Sequence, residues 1–291
     1  MKKIIFIVIM VIFGCSSKRK GTEQNPISIY FMPSSGSSAV INDSIKLADY
    51  LRKKTGYYFM PVIPVSYSDV LDSFSDNKAD AAFLESIAYV SINEKSGLTP
   101  VLKLLHNDRS AERGLILISS KSRIKNIHDI SGKIVAYNHR LSASGYLFAS
   151  YMFKKDNIVP AYEIFTGSDL NSIEKLLDGK IDSACVSENT WNDLLKKNSS
   201  INSKIKVLEY TDYIPNEVFC FRKSFSTQMN SEIVTALTEY YKKASGQKLL
   251  KELFSIDGFT IAADEDYDGV RRVIKTLDWD IYDYLISDDI E

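Results

Sequence analysis

The chain has 291 residues, and its 36 Lys and Arg nearly balance its 37 Asp and Glu. A net charge of −1 without a basic stretch gives no reason to expect a nucleic-acid partner. The sequence contains no CxxC or HExxH motif and no spaced group of histidines, so we predict neither a metal site nor a cofactor.

The N-terminus has the features of an export signal. A short basic start precedes the apolar run Ile4–Phe13, which is too short to span a bilayer. The run leads into Ile12-Phe13-Gly14-Cys15, which resembles the lipobox of bacterial lipoproteins. We therefore predict a signal peptide over 1–14, a lipidated Cys15 and a polar tether over 15–25. This places the protein outside the cytoplasm on a membrane anchor. An ordinary cleaved signal without lipid is the alternative.

Strand and helix patterns alternate along the rest of the chain, which is typical of an α/β protein. Up to residue 119, the predicted strands cover 27–32, 58–65, 79–84, 99–105 and 114–119, and the predicted helices cover 40–54, 68–74 and 87–93. From residue 134, the predicted strands cover 134–137, 181–186, 204–210 and 218–222, and the predicted helices cover 144–156, 168–177, 230–244, 249–254 and 267–277. Cys185 and Cys220 lie in two of these strands, and we expect buried free thiols, with a single disulfide as the alternative.

Two segments, 27–93 and 134–197, repeat one order of strand, helix, strand, short helix, strand and helix. The second half of each contains a similar phrase, Asp76-Asn77-Lys78-Ala79-Asp80 in one and Asp178-Gly179-Lys180-Ile181-Asp182 in the other. A polar turn that leads through an aspartate into a buried strand is typical of a βαβ crossover. We therefore predict two sheets with a cleft between them, and a ligand site beyond the carboxyl ends of the strands.

The segment Asp129–Tyr146, DISGKIVAYNHRLSASGY, joins a short apolar strand to a helix through a turn rich in hydroxyl groups. A helix start of this kind leaves backbone N–H groups without an intrahelical partner, and the helix dipole adds positive potential. With Ser142 and Ser144 in the turn, the segment predicts an oxyanion site. Both serines also suit a capping role.

Several pieces of the chain together resemble a known family. They are Ser66-Tyr67, the strand 79–84 with Ile87-Ala88-Tyr89, the block 129–146, the stretch 167–182 and Ile214-Pro215-Asn216. In this order they resemble the phosphate, phosphite and phosphonate solute-binding proteins of ABC transporters. The resemblance implies the two-lobed type II periplasmic-binding fold, in which each lobe is a mostly parallel sheet flanked by helices. It places lobe one over 26–112 plus 220–291 and lobe two over 113–219.

The resemblance also implies which residues touch the ligand. The oxyanion is expected on the hydroxyls and backbone N–H groups of one turn, from Ser142, Ala143, Ser144 and Gly145. Gly145 would let the backbone come close to it. Two tyrosines of the other lobe are expected to close over the ligand, Tyr67 and Tyr89.

The chain departs from the family pattern at three places. Ala143 lacks a hydroxyl that is often present, Asp169 stands where a histidine is common, and Glu85-Ser86 replace a pair such as Gly-Pro. A carboxylate repels a dianion unless it accepts a proton from a P–OH group or meets a ligand amine. We therefore expect a ligand with such a proton or an ammonium group, or carboxylates that point away. Glu188 and Glu217 are further candidates for the amine's partner, although Asp169 and Glu188 also suit helix starts.

The sequence thus predicts a monomeric, lipid-anchored solute-binding protein that captures a small phosphorus oxyanion or organophosphonate and delivers it to an ABC permease. No nucleophile or cofactor loop is needed for this role, and we expect no enzymatic activity. Three alternatives stay open: a receptor for a membrane histidine kinase, a cofactor-independent enzyme on the same fold, and a structural surface lipoprotein with a vestigial site.

Overall fold

The computed structural model describes residues 19–31 and 38–278. The predicted signal peptide, Cys15, and the segments 32–37 and 279–291 lie outside the described residues. The strands are β1 (Ile27–Phe31), β2 (Phe59–Val62), β3 (Ala81–Leu84), β4 (Leu98–Leu105), β5 (Ala111–Ser119), β6 (Ile134–Tyr137), β7 (Tyr162–Phe165), β8 (Ser183–Ser187), β9 (Ile205–Pro215), β10 (Val218–Arg222) and β11 (Gly258–Ile261). The α-helices are α1 (Ser38–Thr55), α2 (Tyr67–Ser75), α3 (Ser86–Ser96), α4 (Phe148–Lys155), α5 (Asp169–Leu177), α6 (Glu188–Lys197), α7 (Thr227–Tyr241), α8 (Ala244–Phe254) and α9 (Asp268–Leu277).

The strands form two sheets, as the alternating pattern predicts. The first has the order β11-β4-β10-β3-β1-β2, with β1 parallel to β2 and β3, and β10 antiparallel to β3 and β4. The second has the order β7-β6-β8-β5-β9, with β6 parallel to β7 and β8, and β5 antiparallel to β8 and β9. The predicted α/β class is confirmed. The two sheets are mixed rather than mostly parallel, since five of the nine strand pairs among the described residues are antiparallel.

The repeated phrase of the sequence has the same role in both sheets. Oδ2 of Asp80 accepts a hydrogen bond of 2.9 Å from the backbone N–H of Ser28, in the first strand of its lobe. Oδ2 of Asp182 accepts one of 2.9 Å from the N–H of Ile134, at the start of β6 in the second sheet. Each aspartate therefore ties a crossover turn to the neighbouring parallel strand, which explains why both copies of the phrase carry it.

The chain crosses between the sheets twice, at 106–110 and at 216–217. The predicted lobe boundaries, at 112/113 and 219/220, lie inside β5 and β10. The first predicted boundary differs from the observed crossing because β5 begins before its apolar centre. Glu112 and Arg113 already pair with Ile214 and Tyr213 of β9. The apolar run marks only the buried middle of such a strand.

Asn216 joins the two crossing segments. Its Nδ2 donates to the carbonyl oxygens of Arg109 at 2.7 Å and Leu104 at 3.0 Å, and its backbone N–H donates to the carbonyl of Ser110. The hydroxyl of Tyr267 donates to the carbonyl of Asn216 at 3.2 Å. The connection between the lobes is therefore a cross-linked pair of segments rather than two loose linkers.

Helix α9 packs against α3 of the first lobe and α4 of the second, so the C-terminal part of the described chain bridges both lobes. Cys185 and Cys220 are buried free thiols in different sheets. Among the described residues, no helix is long and apolar enough to cross a membrane.

Candidate ligand-binding cleft

A cleft of about 730 Å³ lies between the two sheets. Both lobes and both crossing segments contribute to its walls. Helix α3 contributes its start, a turn before α4 contributes hydroxyl groups, and α6 contributes its first residues. The residues that line the cleft include Glu85, Ser86, His106, Glu112, Ser142, Ala143, Ser144, Ser187, Asn189, Asn216 and Glu217. The predicted position of the site, beyond the ends of the strands and between two sheets, matches this cleft.

The turn at Ala143–Leu147 is a single π-helical turn that continues into α4. Oγ of Ser142 accepts hydrogen bonds from the N–H of Gly145 at 2.9 Å and from Nδ2 of Asn138 at 3.0 Å. Ser142 is therefore the N-cap, as the capping alternative predicted. The N–H groups of Ala143 and Ser144 head the turn, where an intrahelical acceptor does not exist. These two residues, with Ser142, form this wall of the cleft.

Gly145 does not approach the cleft as the resemblance implies. A Cβ atom at this position would lie 2.3 Å from Oδ1 of Asn138, so the space beside Gly145 belongs to that side chain. Gly114 of β5 shows the close approach instead. A Cβ atom there would lie 2.4 Å from the carbonyl oxygen of Ser144, so this glycine lets the strand pass directly beneath the π turn.

Helix α6 begins beside the π turn, on the wall formed by the second lobe. Oγ of its N-cap Ser187 accepts hydrogen bonds from the N–H groups of Asn189 and Thr190. Oδ2 of the buried Asp169 accepts one of 3.0 Å from the N–H of Ser187. Asp169 therefore links the start of α5 to that of α6, and Ser168 is the N-cap of α5. Burial raises the pKa of Asp169, against the lowering effect of the N–H of Ser187.

Glu188 is held by an arginine rather than directed toward the cleft. Its Oε1 lies 2.9 Å from Nη2 of Arg113 and its Oε2 lies 3.2 Å from Nε, which is a bidentate pair. The guanidinium carbon of Arg113 also lies 4.1 Å from the ring centre of Tyr210. The sequence interpretation of Glu188 as an amine partner is therefore wrong, because Arg113 on the neighbouring β5 already satisfies this carboxylate.

Glu112 is the cleft residue that the sequence interpretation missed. Its Oε2 accepts hydrogen bonds from Oγ of Ser187 at 2.6 Å and from Nδ2 of Asn189 at 2.9 Å, and the hydroxyl of Ser144 donates to the carboxylate as well. Burial raises the pKa of Glu112, against these hydrogen bonds. The position of Glu112 in the cleft follows from the strand register. Because Gly114 of β5 pairs with Ser187 of β8, Glu112 lies beyond the end of β8.

Glu85 ends β3 and precedes α3 at the floor of the cleft. Its carboxylate is open to the solvent of the cleft but has protein on the surrounding walls. Burial between the lobes and the negative charge of Glu217 raise the pKa of Glu85 to about 7. The side chain of Tyr67 makes a hydrogen bond with Glu85 that lowers its pKa, so this predicted tyrosine lies beside the cleft carboxylate.

Glu217 lies in the second crossing segment and pairs with His106 in the first. Nε2 of His106 lies 2.8 Å from Oε2 of Glu217, and Nδ1 lies 3.3 Å from the carbonyl oxygen of Ser255. Two acceptors suit a doubly protonated ring. Burial favours the neutral forms, but the hydrogen bond and the opposite charges prevail: they raise the pKa of His106 and lower that of Glu217.

Tyr89 does not lie in the cleft. It is fully buried on the inner face of α3, its hydroxyl donates to Oδ1 of Asp264 at 2.5 Å, and its ring centre lies 4.6 Å from that of Tyr267. The prediction that Tyr89 closes over the ligand is therefore wrong. The residue instead secures the segment that precedes α9. Among the described residues, no group of three His, Cys, Asp or Glu side chains forms a metal site.

Two α/β lobes joined by a pair of crossing segments, with a cleft that collects helix starts from both lobes, define a periplasmic binding protein of type II. Residues 29–267 match the model of the family described as ABC transporter, phosphonate, periplasmic substrate-binding protein. The chain belongs to this family. It is an extracytoplasmic solute-binding protein of an ABC transport system, as the sequence resemblance implies.

Solved structures with the same fold have little sequence in common with it. XAC2383 from Xanthomonas citri, bound to ATP, has a TM-score of 0.72 and 16% identity, over 86% of this chain and 98% of that one. PhnD1 from Prochlorococcus marinus, in complex with methylphosphonate, has a TM-score of 0.66 and 14% identity, over 87% and 98%. The periplasmic aliphatic sulphonate binding protein SsuA from Escherichia coli has a TM-score of 0.59 and 12% identity, over 86% and 91%.

Proposed function

We propose that the cleft binds a small phosphorus oxyanion or an organophosphonate and that the protein delivers it to an ABC permease. The observation that carries this proposal is the convergence of three helix starts, those of α3, the π turn before α4, and α6, on one cleft. Helix starts present N–H donors and a positive dipole end to an anion. The methylphosphonate complex of PhnD1, on the same fold, agrees with this ligand class.

The carboxylates of the cleft restrict the ligand further. Glu85, Glu112 and Glu217 all lie on its walls. Burial and the negative charge of Glu217 raise the pKa of both Glu85 and Glu112. A bare dianion meets repulsion from this group, so the ligand brings a proton on its oxyanion or a separate ammonium group. Glu112 already accepts hydrogen bonds from three side chains. Glu217 is already paired with His106. Glu85 is therefore the partner we assign to a ligand amine, with the charge of Glu217 beside it.

The remaining site residues follow from their positions. We assign oxyanion contacts to the N–H groups of Ala143 and Ser144. The hydroxyl of Ser144, which donates to Glu112, turns to the oxyanion when the ligand binds. We assign a contact from the first lobe to Tyr67, next to Glu85. Ligand contacts from both lobes stabilise the closed cleft, with the crossing segments 106–110 and 216–217 as the hinge.

We further propose that Cys15, which lies outside the described residues, is lipidated and that 15–25 tether the monomeric binding protein to a membrane. The family's periplasmic location supports an exported chain. Metabolic labelling with a radioactive fatty acid tests the anchor. Label on the wild-type chain and none on Cys15→Ser supports it, and an unlabelled wild-type chain contradicts it.

A thermal-shift panel tests the ligand class. The panel contains phosphate, phosphite, methylphosphonate, 2-aminoethylphosphonate and sulfate, with the protein purified as the cell processes it from the full-length chain. A ligand at a hundredfold its Kd stabilises by about 2.7 kcal/mol. A shift of the melting temperature with a phosphorus compound and none with sulfate supports the proposal. No shift with any of the phosphorus compounds contradicts it.

The same panel tests the assigned donors. Ser144→Ala should weaken the phosphorus ligand about tenfold, because a charge-assisted hydrogen bond is lost. The matched control is Ser168→Ala, which removes the N-cap of α5 and leaves the walls of the cleft intact. Equal affinities in the wild type and Ser144→Ala contradict the assignment.

A further inference from the structure

A second cavity, of about 240 Å³, lies in the first lobe next to the cleft. Seven apolar side chains line it, Phe31, Val40, Phe83, Leu84, Leu104, Leu253 and Phe254, and we call it the apolar chamber. It lies between the ends of β1 and β3 and the end of α8. The space is partly open and is not sealed within the lobe, and its mostly apolar lining distinguishes it from the polar walls of the cleft.

The apolar chamber is continuous with the cleft. Glu85, Glu217 and Ser255 line both spaces, and they form the neck between them. A ligand group that enters the cleft therefore reaches the apolar chamber by passing these three residues.

The walls of the apolar chamber are aromatic and already ordered. The ring centres of Phe83 and Phe254 lie 4.4 Å apart, and that of Phe31 lies 5.5 Å from Phe83 and 5.9 Å from Phe254. Phe31 and Phe83 are almost fully buried. Rings that pack against one another keep their positions when a guest enters, so binding there needs little reorganisation.

We propose that the apolar chamber binds the organic substituent of the ligand whose oxyanion lies in the cleft. This inference rests on the proposed function and names its substrate class: organophosphonates with an aliphatic or aryl group of about five to seven carbons. A cavity of about 150 Å³ lined by Leu, Ile and Phe holds a benzene molecule. The apolar chamber is larger, so a phenyl or pentyl group fits within it.

A series of phosphonates with growing substituents tests this inference by isothermal titration calorimetry. The ligands are methyl-, propyl-, pentyl- and phenylphosphonate, and the protein is the form that the cell processes from the full-length chain. Each methylene that enters an apolar site strengthens binding about fourfold. We expect affinity to rise from methyl to pentyl, with a heat-capacity change that becomes more negative along the series.

A variant that fills the apolar chamber separates its role from that of the cleft. Leu253→Phe should weaken pentyl- and phenylphosphonate at least tenfold and change methylphosphonate less than twofold. Val40→Phe, a partly exposed position on the same cavity, serves if Leu253→Phe fails to fold. The matched control is Leu249→Phe, which lies on the same helix in the same core, away from the apolar chamber. It should leave the whole series unchanged.

The outcomes separate the two proposals. Measurable binding of methylphosphonate with no gain, or a loss, toward pentyl and phenyl overturns the apolar chamber and leaves the proposed function standing. A rising series that Leu253→Phe and Val40→Phe leave unchanged also overturns it, because the substituent then lies elsewhere. No binding by any member of the series overturns the proposed function, and the apolar chamber's role with it.

Discussion

The carboxylate of Glu112 accepts a hydrogen bond of 2.6 Å from the hydroxyl of Ser187, the residue that caps α6. Asn189 and Ser144 also donate to Glu112. The carboxylate of Glu112 is therefore the acceptor for three hydrogen-bond donors that line the cleft. The cleft therefore contains its own anion among the donors that would otherwise meet a ligand. This arrangement favours an oxyanion of reduced charge over a full dianion.

The variant Glu112→Gln tests this relationship. Removal of one negative charge should strengthen the binding of methylphosphonate about tenfold at pH 8, where the ligand carries most charge, and less at pH 6. Calorimetric titration at both pH values measures the effect. Glu209→Gln, an exposed position on β9, is the control and should change neither value. Weaker binding by Glu112→Gln at both pH values would mean that Glu112 accepts a proton from the ligand.

Glu85 should make stability depend on pH near neutrality. Its pKa in the folded protein is about 7, above its ordinary value of 4.5, so the folded state binds the proton more tightly than the unfolded state. Stability contributed by this group is therefore highest below pH 4.5 and falls as the pH rises toward and through 7. The melting temperature of Glu85→Gln should therefore rise relative to that of the wild type from pH 5 to pH 7 and stay above it at pH 8.

Thermal melts of Glu85→Gln and the wild type from pH 5 to 8.5 measure this difference. Glu94→Gln is the control, since it removes an exposed carboxylate from α3, the helix that Glu85 precedes. A constant difference between Glu85→Gln and the wild type across the range would contradict the assignment of the titration to Glu85.

The sequence predicts an element best where polar residues flank both of its ends. The observed β6 has its predicted bounds, 134–137, because Lys133 and Asn138 flank a short apolar run. The predicted helix 144–156 became a π turn followed by α4, since the apolar spacing alone does not distinguish i+4 from i+5 bonding. The repeated order predicts a strand where β7 lies, but β7 and the short β11 carry little apolar pattern, and the sequence predicts the bounds of neither.

The site shows a similar division. Strand ends place Glu85, Ser142, Ser144 and Glu217 near a common cleft, and all four line it. The sequence does not reveal which side chains already have partners. Glu188 is paired with Arg113, 75 residues away, and Tyr89 with Asp264, 175 residues away. Such pairs depend on the strand register and on the C-terminal helix, which local patterns do not specify.

The pair of His106 and Glu217 should stabilise the protein within a defined pH window. Glu217 has a lowered pKa, so its contribution is complete above 4.5 and is lost as the pH falls through that lowered value. His106 has a raised pKa, so its contribution is complete below 6.5 and is lost as the pH rises through that raised value. Both conditions hold together between pH 4.5 and 6.5.

Glu217→Gln should therefore lower the melting temperature most within that window, by about 2 °C, because a partly exposed pair contributes about 1 kcal/mol or less. Melts from pH 4 to 9 measure the profile. Glu239→Gln, an exposed position on α7, is the control and should leave the profile flat. A loss that stays constant from pH 4 to 9 would show that the contact stabilises by packing and not by charge.

Gly145→Ala should destabilise the protein by about 1–3 kcal/mol, because the added methyl group overpacks a closed site. The new Cβ would lie 2.3 Å from Oδ1 of Asn138, and Asn138 is held in place by its bonds to Ser142 and to the N–H of His139. Urea unfolding measures the loss. The control is Gly269→Ala in α9, where no heavy atom lies within 4 Å of the new Cβ and alanine favours the helix.

The double variant Asn138→Ala with Gly145→Ala identifies the cause of that loss. If the clash with the Asn138 side chain is responsible, removing this side chain makes room for the methyl group, and Gly145→Ala then costs less in the Asn138→Ala background than in the wild type. If the two losses simply add, the clash with the Asn138 side chain is not the cause of the loss at Gly145.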